Sequence, residues 1–317
     1  MAMAHSRVQG HGLPQGARPR GATLALTVLG CPLVLHCTDA ETHALLRTQY
    51  GGMPRGRPEA AALHYTVGRQ VDAQGFFLRR AGARPLWAAD AGELLFLFEQ
   101  DCTIALQTLR PDLYFVHAAV LAWAGAALML VAGSGRGKST TTWALLHHGF
   151  RYCSDELGPV DIPTLDVLPY PHALCLKAAP PAAYPLPAQT LVTPATLHIP
   201  TGALPSATCL EPLRLAALFF VQYHPAASGP TVRPLRTAEA AAHLFAHALN
   251  PLAHAAEGLD GAIAIATRCA CFALHTADLP ATCALVRRTL HECGLGAPQR
   301  GRPDRDGDSR VPEGKGL

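Results

Sequence analysis

The chain has 317 residues, of which 49% are apolar and only 15% are Asp, Glu, Lys or Arg, with a formal net charge of +3. That length allows one or two domains with a substantial core, and that composition excludes an intrinsically disordered chain. A nearly neutral balance, with much of the excess as Arg near the N-terminus, excludes a broad nucleic-acid-binding surface.

In chain order, residues 1–21 are rich in Gly, Arg, His and Pro and read as a disordered leader. Arg18 to Arg20 followed by the apolar run Ala22 to Cys37 imitates a secretory signal, and Val28-Leu29-Gly30-Cys31 approximates a lipoprotein cleavage site. The stretch Thr23 to Val28 suits a buried strand equally well, Pro32 soon breaks the run, and it is too short to span a bilayer. The expectation is a cytoplasmic protein without a membrane partner.

Residues 22–112 read as a small N-terminal α+β part. Apolar runs lie at Leu24 to Leu35 and Leu94 to Phe98, helical patterns at Ala40 to Tyr50 and Cys102 to Leu109, with Gly51-Gly52 and Pro111 as punctuation. A strand is expected over Tyr114 to Leu121, a turn at Trp123-Ala124-Gly125, and a fully apolar strand over Ala126 to Val131. Farther on, Leu215 to Gln222 reads as a strand, and Glu239 to Leu249 and Pro280 to Cys293 as helices. Gly296 to Leu317 lacks apolar periodicity and reads as a disordered tail. Ten cysteines include no C-x-x-C pair, and Cys269 with Cys271 is the nearest approach to zinc-ligand spacing, so scattered buried thiols are expected.

The chemistry concentrates after the Ala126 to Val131 strand. Ala132-Gly133-Ser134-Gly135-Arg136-Gly137-Lys138-Ser139-Thr140 fits the phosphate-loop pattern [A/G]-x-x-x-x-G-K-[S/T], with a helix through Trp143 to Leu146 following. Glycines let successive N–H groups turn inward on an anion; Lys138 would neutralise the β- and γ-phosphates, and Ser139 would offer a hydroxyl to Mg²⁺. The helix start near Lys138 directs its positive end at the same anion. After Gly149 a short strand leads to the acidic pair Asp155-Glu156, close enough in sequence for one helix and a turn to return it to the loop. A phosphoryl transferase needs one acid for the attacking hydroxyl and another for the metal. His117 lies in the strand before the hairpin and is either a core residue or a group beside the phosphates. Lys177 is either a solvated strand-end lysine or a further cation at the pocket.

Together these elements resemble HPr kinase/phosphorylase, and more closely the HPr-kinase-related proteins of the kinase A type. The resemblance runs from Val116-His117-Ala118-Ala119-Val120 through Gly133 to Thr140, Gly149-Phe150-Arg151-Tyr152, Ser154-Asp155-Glu156-Leu157 and Asp161. It continues through Pro169-Tyr170-Pro171-His172 and Leu174-Cys175-Leu176-Lys177. It implies, over 113–295, a P-loop kinase core of the phosphoenolpyruvate carboxykinase/HPr kinase-like type, a mixed sheet flanked by helices. It also implies His117 near the phosphates, Asp155 as base for the acceptor, and Glu156 with Ser139 at the metal. A homo-oligomer is implied in the same way. HPr kinase proper carries two Asp where this chain has Asp155-Glu156, as the related subgroup does, and the later signature for phosphorolysis has no counterpart.

The expectation is therefore an ATP-dependent, Mg²⁺-requiring kinase acting on a hydroxyl, with Ser or Thr of a small HPr-like or peptide-chaperone protein as acceptor. Two rivals are a small-molecule P-loop kinase and a nucleotide-responsive, non-catalytic partner of a peptide-modification system. Lys138→Ala is expected to end ATP turnover with the fold intact, and Asp155→Asn to bind ATP without transferring phosphate.

Overall fold

The computed structural model describes residues 21–70 and 74–296. Apart from Gly21 and Gly296, the expected leader and tail lie outside those residues. The fold is mixed α/β, built on curled mixed sheets with helices packed against them.

The first sheet has the order β1-β2-β3-β4-β5, formed by β1 (Thr23–Val28), β2 (Cys31–Cys37), β3 (Leu63–Arg69), β4 (Phe76–Arg80) and β5 (Leu86–Ala88). The apolar run at Leu24 to Leu35 is a hairpin rather than one segment. Leu29 and Gly30 both take positive φ (50° and 79°), a turn whose twist matches the flanking strands. The signal-like stretch is thus paired inside a sheet. Helices α1 (Ala40–Tyr50) and α2 (Ala91–Leu109) accompany this sheet. The run Leu94 to Phe98 is not a separate element but the first half of α2. Asp90 caps that helix by accepting from Glu93 N at 2.9 Å, and Leu94, Phe98, Cys102 and Ala105 recur on its buried side.

Next come β6 (Leu113–Val116), β7 (Ala118–Trp123), β8 (Ala126–Val131), α3 (Lys138–His147), β9 (Arg151–Ser154), β10 (Gly158–Asp161) and β11 (Asp166–Val167). Strands β12 (Leu174–Leu176), β13 (Leu191–Val192) and β14 (Leu197–Ile199) make a small sheet of order β12-β14-β13. The chain closes with β15 (Leu213–Tyr223), β16 (Thr231–Pro234), α4 (Thr237–Phe245), α5 (Leu259–Arg268), β17 (Ala270–Thr276) and α6 (Leu279–Glu292).

The largest sheet runs β6-β10-β11-β15-β8-β7-β9, with β17 beside β15 and β16 beside β17. Strands β8, β15 and β17 are parallel, so Val131, Tyr223 and Thr276 end on one edge, where open α/β sheets place their ligands. Side chains alternate across the sheet. Leu128, Leu130, Phe219 and Leu274 share a core with residues of α3 and α6, while Met129, Val131 and Leu218 share one with residues of α4 and α5.

Two further expectations need correction. Tyr114 to Leu121 is two strands, because the chain changes partners at His117: β6 pairs with β10, whereas β7 pairs with β8 and β9. The helix expected over 239–249 is Thr237–Phe245. Beyond it the backbone turns to meet β6, with Leu249 N donating to Phe115 O at 2.8 Å. No helix among the described residues is long and apolar enough to cross a membrane.

Candidate functional site

The Gly-rich segment lies where the sequence reading put it, between β8 and α3. Gly135 and Gly137 take φ of 76° and 93°, and Gly137 occupies the N-cap of α3. The turn rests on the neighbouring parallel strands. Tyr223 N donates to Arg136 O at 3.1 Å, and a Cβ on Gly137 would meet Tyr223 Cβ at 3.2 Å. Left-handed backbone and close packing thus both demand glycine at 137, whereas a Cβ on Gly133 would meet nothing nearer than Arg136 Cγ at 4.0 Å.

Lys138 opens α3 and is turned inward, only 5% exposed. Its ammonium donates to the carbonyl of Asp155 and lies 3.7 Å from Asp155 Oδ1 and 3.5 Å from Glu156 Oε2. The helix and turn that separate Lys138 from the acidic pair therefore bring the two back together. Asp155 is completely enclosed; its Oδ2 accepts from Cys175 N at 3.2 Å, and its Oδ1 has no hydrogen-bond partner among the described residues. Glu156, with a side chain 38% exposed, meets His117 Nε2 at 2.8 Å. The bend at His117 is what turns that ring toward the acid rather than into the core.

Electrostatics separate the two carboxyls. Burial pushes Asp155 above the ordinary Asp value; the Glu156 charge pushes the same way, against Lys138, His172 and the Ser139 hydroxyl. Burial would also raise Glu156, but Lys138, the His117 bond and His172 overcome it and hold that carboxyl at about 2. One acid is set up to take a proton and its neighbour to keep a negative charge.

Of the remaining residues singled out from sequence, Ser134 accepts from the Lys177 ammonium, a contact between two exposed side chains at the loop. Arg136 and Thr140 make no side-chain hydrogen bonds among the described residues. Cys269 and Cys271 point their thiols at backbone carbonyls, Leu215 O at 3.5 Å and Cys269 O at 3.4 Å. All ten cysteines are free, and among the described residues no three His, Cys, Asp or Glu converge as a metal site.

Sequence reasoning missed the wall behind the acidic pair. His172 and Gln49 are 2% and 4% exposed, and Gln49 Nε2 donates to His172 Nδ1 at 3.3 Å. Tyr50 and Tyr170 flank the imidazole with ring centroids 6.4 and 5.2 Å away. A histidine in a Pro-rich segment and a glutamine in the last turn of a helix carry no local signal of such a meeting. No family model matches the chain, and no curated protein matches it either. The likeness to HPr kinases therefore rests on the quoted motifs.

Proposed function

We propose that the chain is a P-loop kinase of the phosphoenolpyruvate carboxykinase/HPr kinase-like type, which binds ATP with Mg²⁺ and transfers the γ-phosphoryl group to Ser or Thr of a small partner protein. One observation carries the reading: the loop cation Lys138 stands 3.7 Å from Asp155 Oδ1 and 3.5 Å from Glu156 Oε2. The group suited to a terminal phosphate and the acids suited to its acceptor thus form one cluster.

The residues divide the work by their surroundings. Backbone N–H groups at the start of α3 suit the phosphate oxygens, and Lys138 would exchange its carbonyl and carboxylate contacts for them. Asp155, enclosed and with a raised pKa, accepts the proton of the attacking hydroxyl through its unpartnered oxygen. Ser139 and Glu156 would hold the divalent metal, which when bound offsets the negative charge of the phosphates. His117 keeps Glu156 oriented through their 2.8 Å contact, and Lys177 adds a positive charge at Ser134. The choice of a protein acceptor comes from the resemblance alone.

Incubating a cell lysate with γ-labelled ATP and either wild type or Asp155→Asn tests the reading. Label on Ser or Thr of a protein, with wild type only, supports it. Label confined to small metabolites replaces it with a small-molecule kinase. No transfer by wild type, or equal transfer by both, refutes it.

A further inference from the structure

The carboxyl edge of the large sheet extends past the phosphate loop on both sides. Strand β9 is antiparallel to β7 and β7 is antiparallel to β8, so β9 and β8 are parallel and the acidic pair after Ser154 shares an edge with the loop. Along that edge the order is β9, β7, β8, β15, β17. The acids therefore stand to one side of the loop, and the ends of β15 and β17 to the other. On this second side the loop is tied to the strand ends. Tyr223 N donates to Arg136 O at 3.1 Å, and the next residue, His224, donates its N–H to Thr276 O at 3.0 Å. The imidazoles of His224 and His275 meet edge to face, with centroids 4.6 Å apart. Together with Thr231 and the small side chains of Ala226 and Ala227 they line a surface cavity of about 450 Å³. No carboxylate lines that cavity among the described residues, and the two histidines belong to no metal site there.

We propose that this cavity takes the nucleoside of the bound nucleotide, with the base packed on the imidazoles of His224 and His275 and the γ-phosphate pointing the opposite way along the edge, at Asp155 and Glu156. The inference deepens the kinase reading and rests on it. Its direction follows from the place of the acids. With the terminal phosphate held between Lys138 and Asp155, the nucleoside leaves the loop on the side away from them. From β8 to β17 is two strand spacings, about 10 Å, a gap for the α-phosphate and ribose to cross. A flat heteroaromatic base packs on an imidazole as it does on other aromatic side chains, and the small residues of the 225–229 segment leave room for it. The absence of a lining carboxylate suits a ligand that arrives with negative charge.

Calorimetric titration of the full chain with Mg·ATP and with Mg·tripolyphosphate, which has the phosphates but no nucleoside, is the test. Wild type binds ATP at least about 10-fold more tightly than tripolyphosphate. His275→Ala lowers the affinity for ATP about 5–10-fold and leaves that for tripolyphosphate unchanged, and His275→Phe, which keeps a flat ring, restores most of the ATP affinity. Equal affinity of wild type for the two ligands overturns this inference alone, since the loop would still hold the phosphates. Unchanged ATP affinity in His275→Ala overturns it too, as does an equal loss of both ligands, which would make the histidine a support for the loop. Should wild type bind neither ligand, the nucleotide reading fails and this inference falls with it.

Discussion

A carboxylate with 0% exposure and one unbonded oxygen weakens the fold at neutral pH. The folded pKa of Asp155 lies above its unfolded value, so its proton is held more tightly in the folded state, and stability falls as pH rises through that window. Glu156 works oppositely. Its folded value of about 2 lies below 4.5, so its contribution is complete above 4.5 and is lost as pH drops toward 2. Asp155→Asn should therefore be more stable than wild type at pH 7 while losing transfer, and the gain should shrink near pH 3.5. Urea unfolding at the two pH values checks this; a less stable variant at pH 7 would contradict it. His198 gives a separate window. Burial and His172 hold it near 4, so the unfolded chain takes up a proton from pH 6.5 downward that the folded chain refuses. Stability should decline between pH 6.5 and 4, by up to about 3 kcal/mol from this group. His198→Gln should flatten most of that slope in unfolding curves.

Among the elements, the loop was legible because its demands are local. The glycines, Lys138 and the preceding apolar strand are contiguous, and the structure adds that the glycines are unequal. Gly137→Ala should cost about 1–2 kcal/mol and impair nucleotide binding, since φ of 93° and Tyr223 both oppose a Cβ. Gly133→Ala should leave thermal stability unchanged; a matching loss in both variants would show that the backbone argument is wrong. Helix α2 had a readable start in Asp90-Ala91-Gly92-Glu93, a capping pattern that outweighs the apolar run behind it. The bend at His117 had none. Its position depends on which strands β6 and β7 meet, and those partners, from Arg151 for Ala122 to Asp161 for Leu113, lie far along the chain.

At the scale of the molecule, the sequence suggested a division near residue 112, yet one buried cluster runs across that point. Leu113, Phe115, Leu157 and Tyr170 belong to the same buried cluster as Leu46, Tyr50 and Phe98. The two regions therefore share a core as well as the Gln49–His172 contact. Residues 113–296 expressed alone should aggregate or fail to unfold cooperatively, because those side chains lose their cover. A monodisperse fragment with a sharp thermal transition would refute the shared core. Burial across such distances follows from tertiary packing, which no single segment records.

Nucleotide binding by the loop is the point on which the functional reading turns, and it requires no knowledge of the acceptor. Calorimetric titration of Mg·ATP into wild type, Lys138→Met and Asp155→Asn should show binding that falls at least about 100-fold in Lys138→Met and is retained in Asp155→Asn. Equal affinity in wild type and Lys138→Met, or no binding to wild type at all, would contradict it.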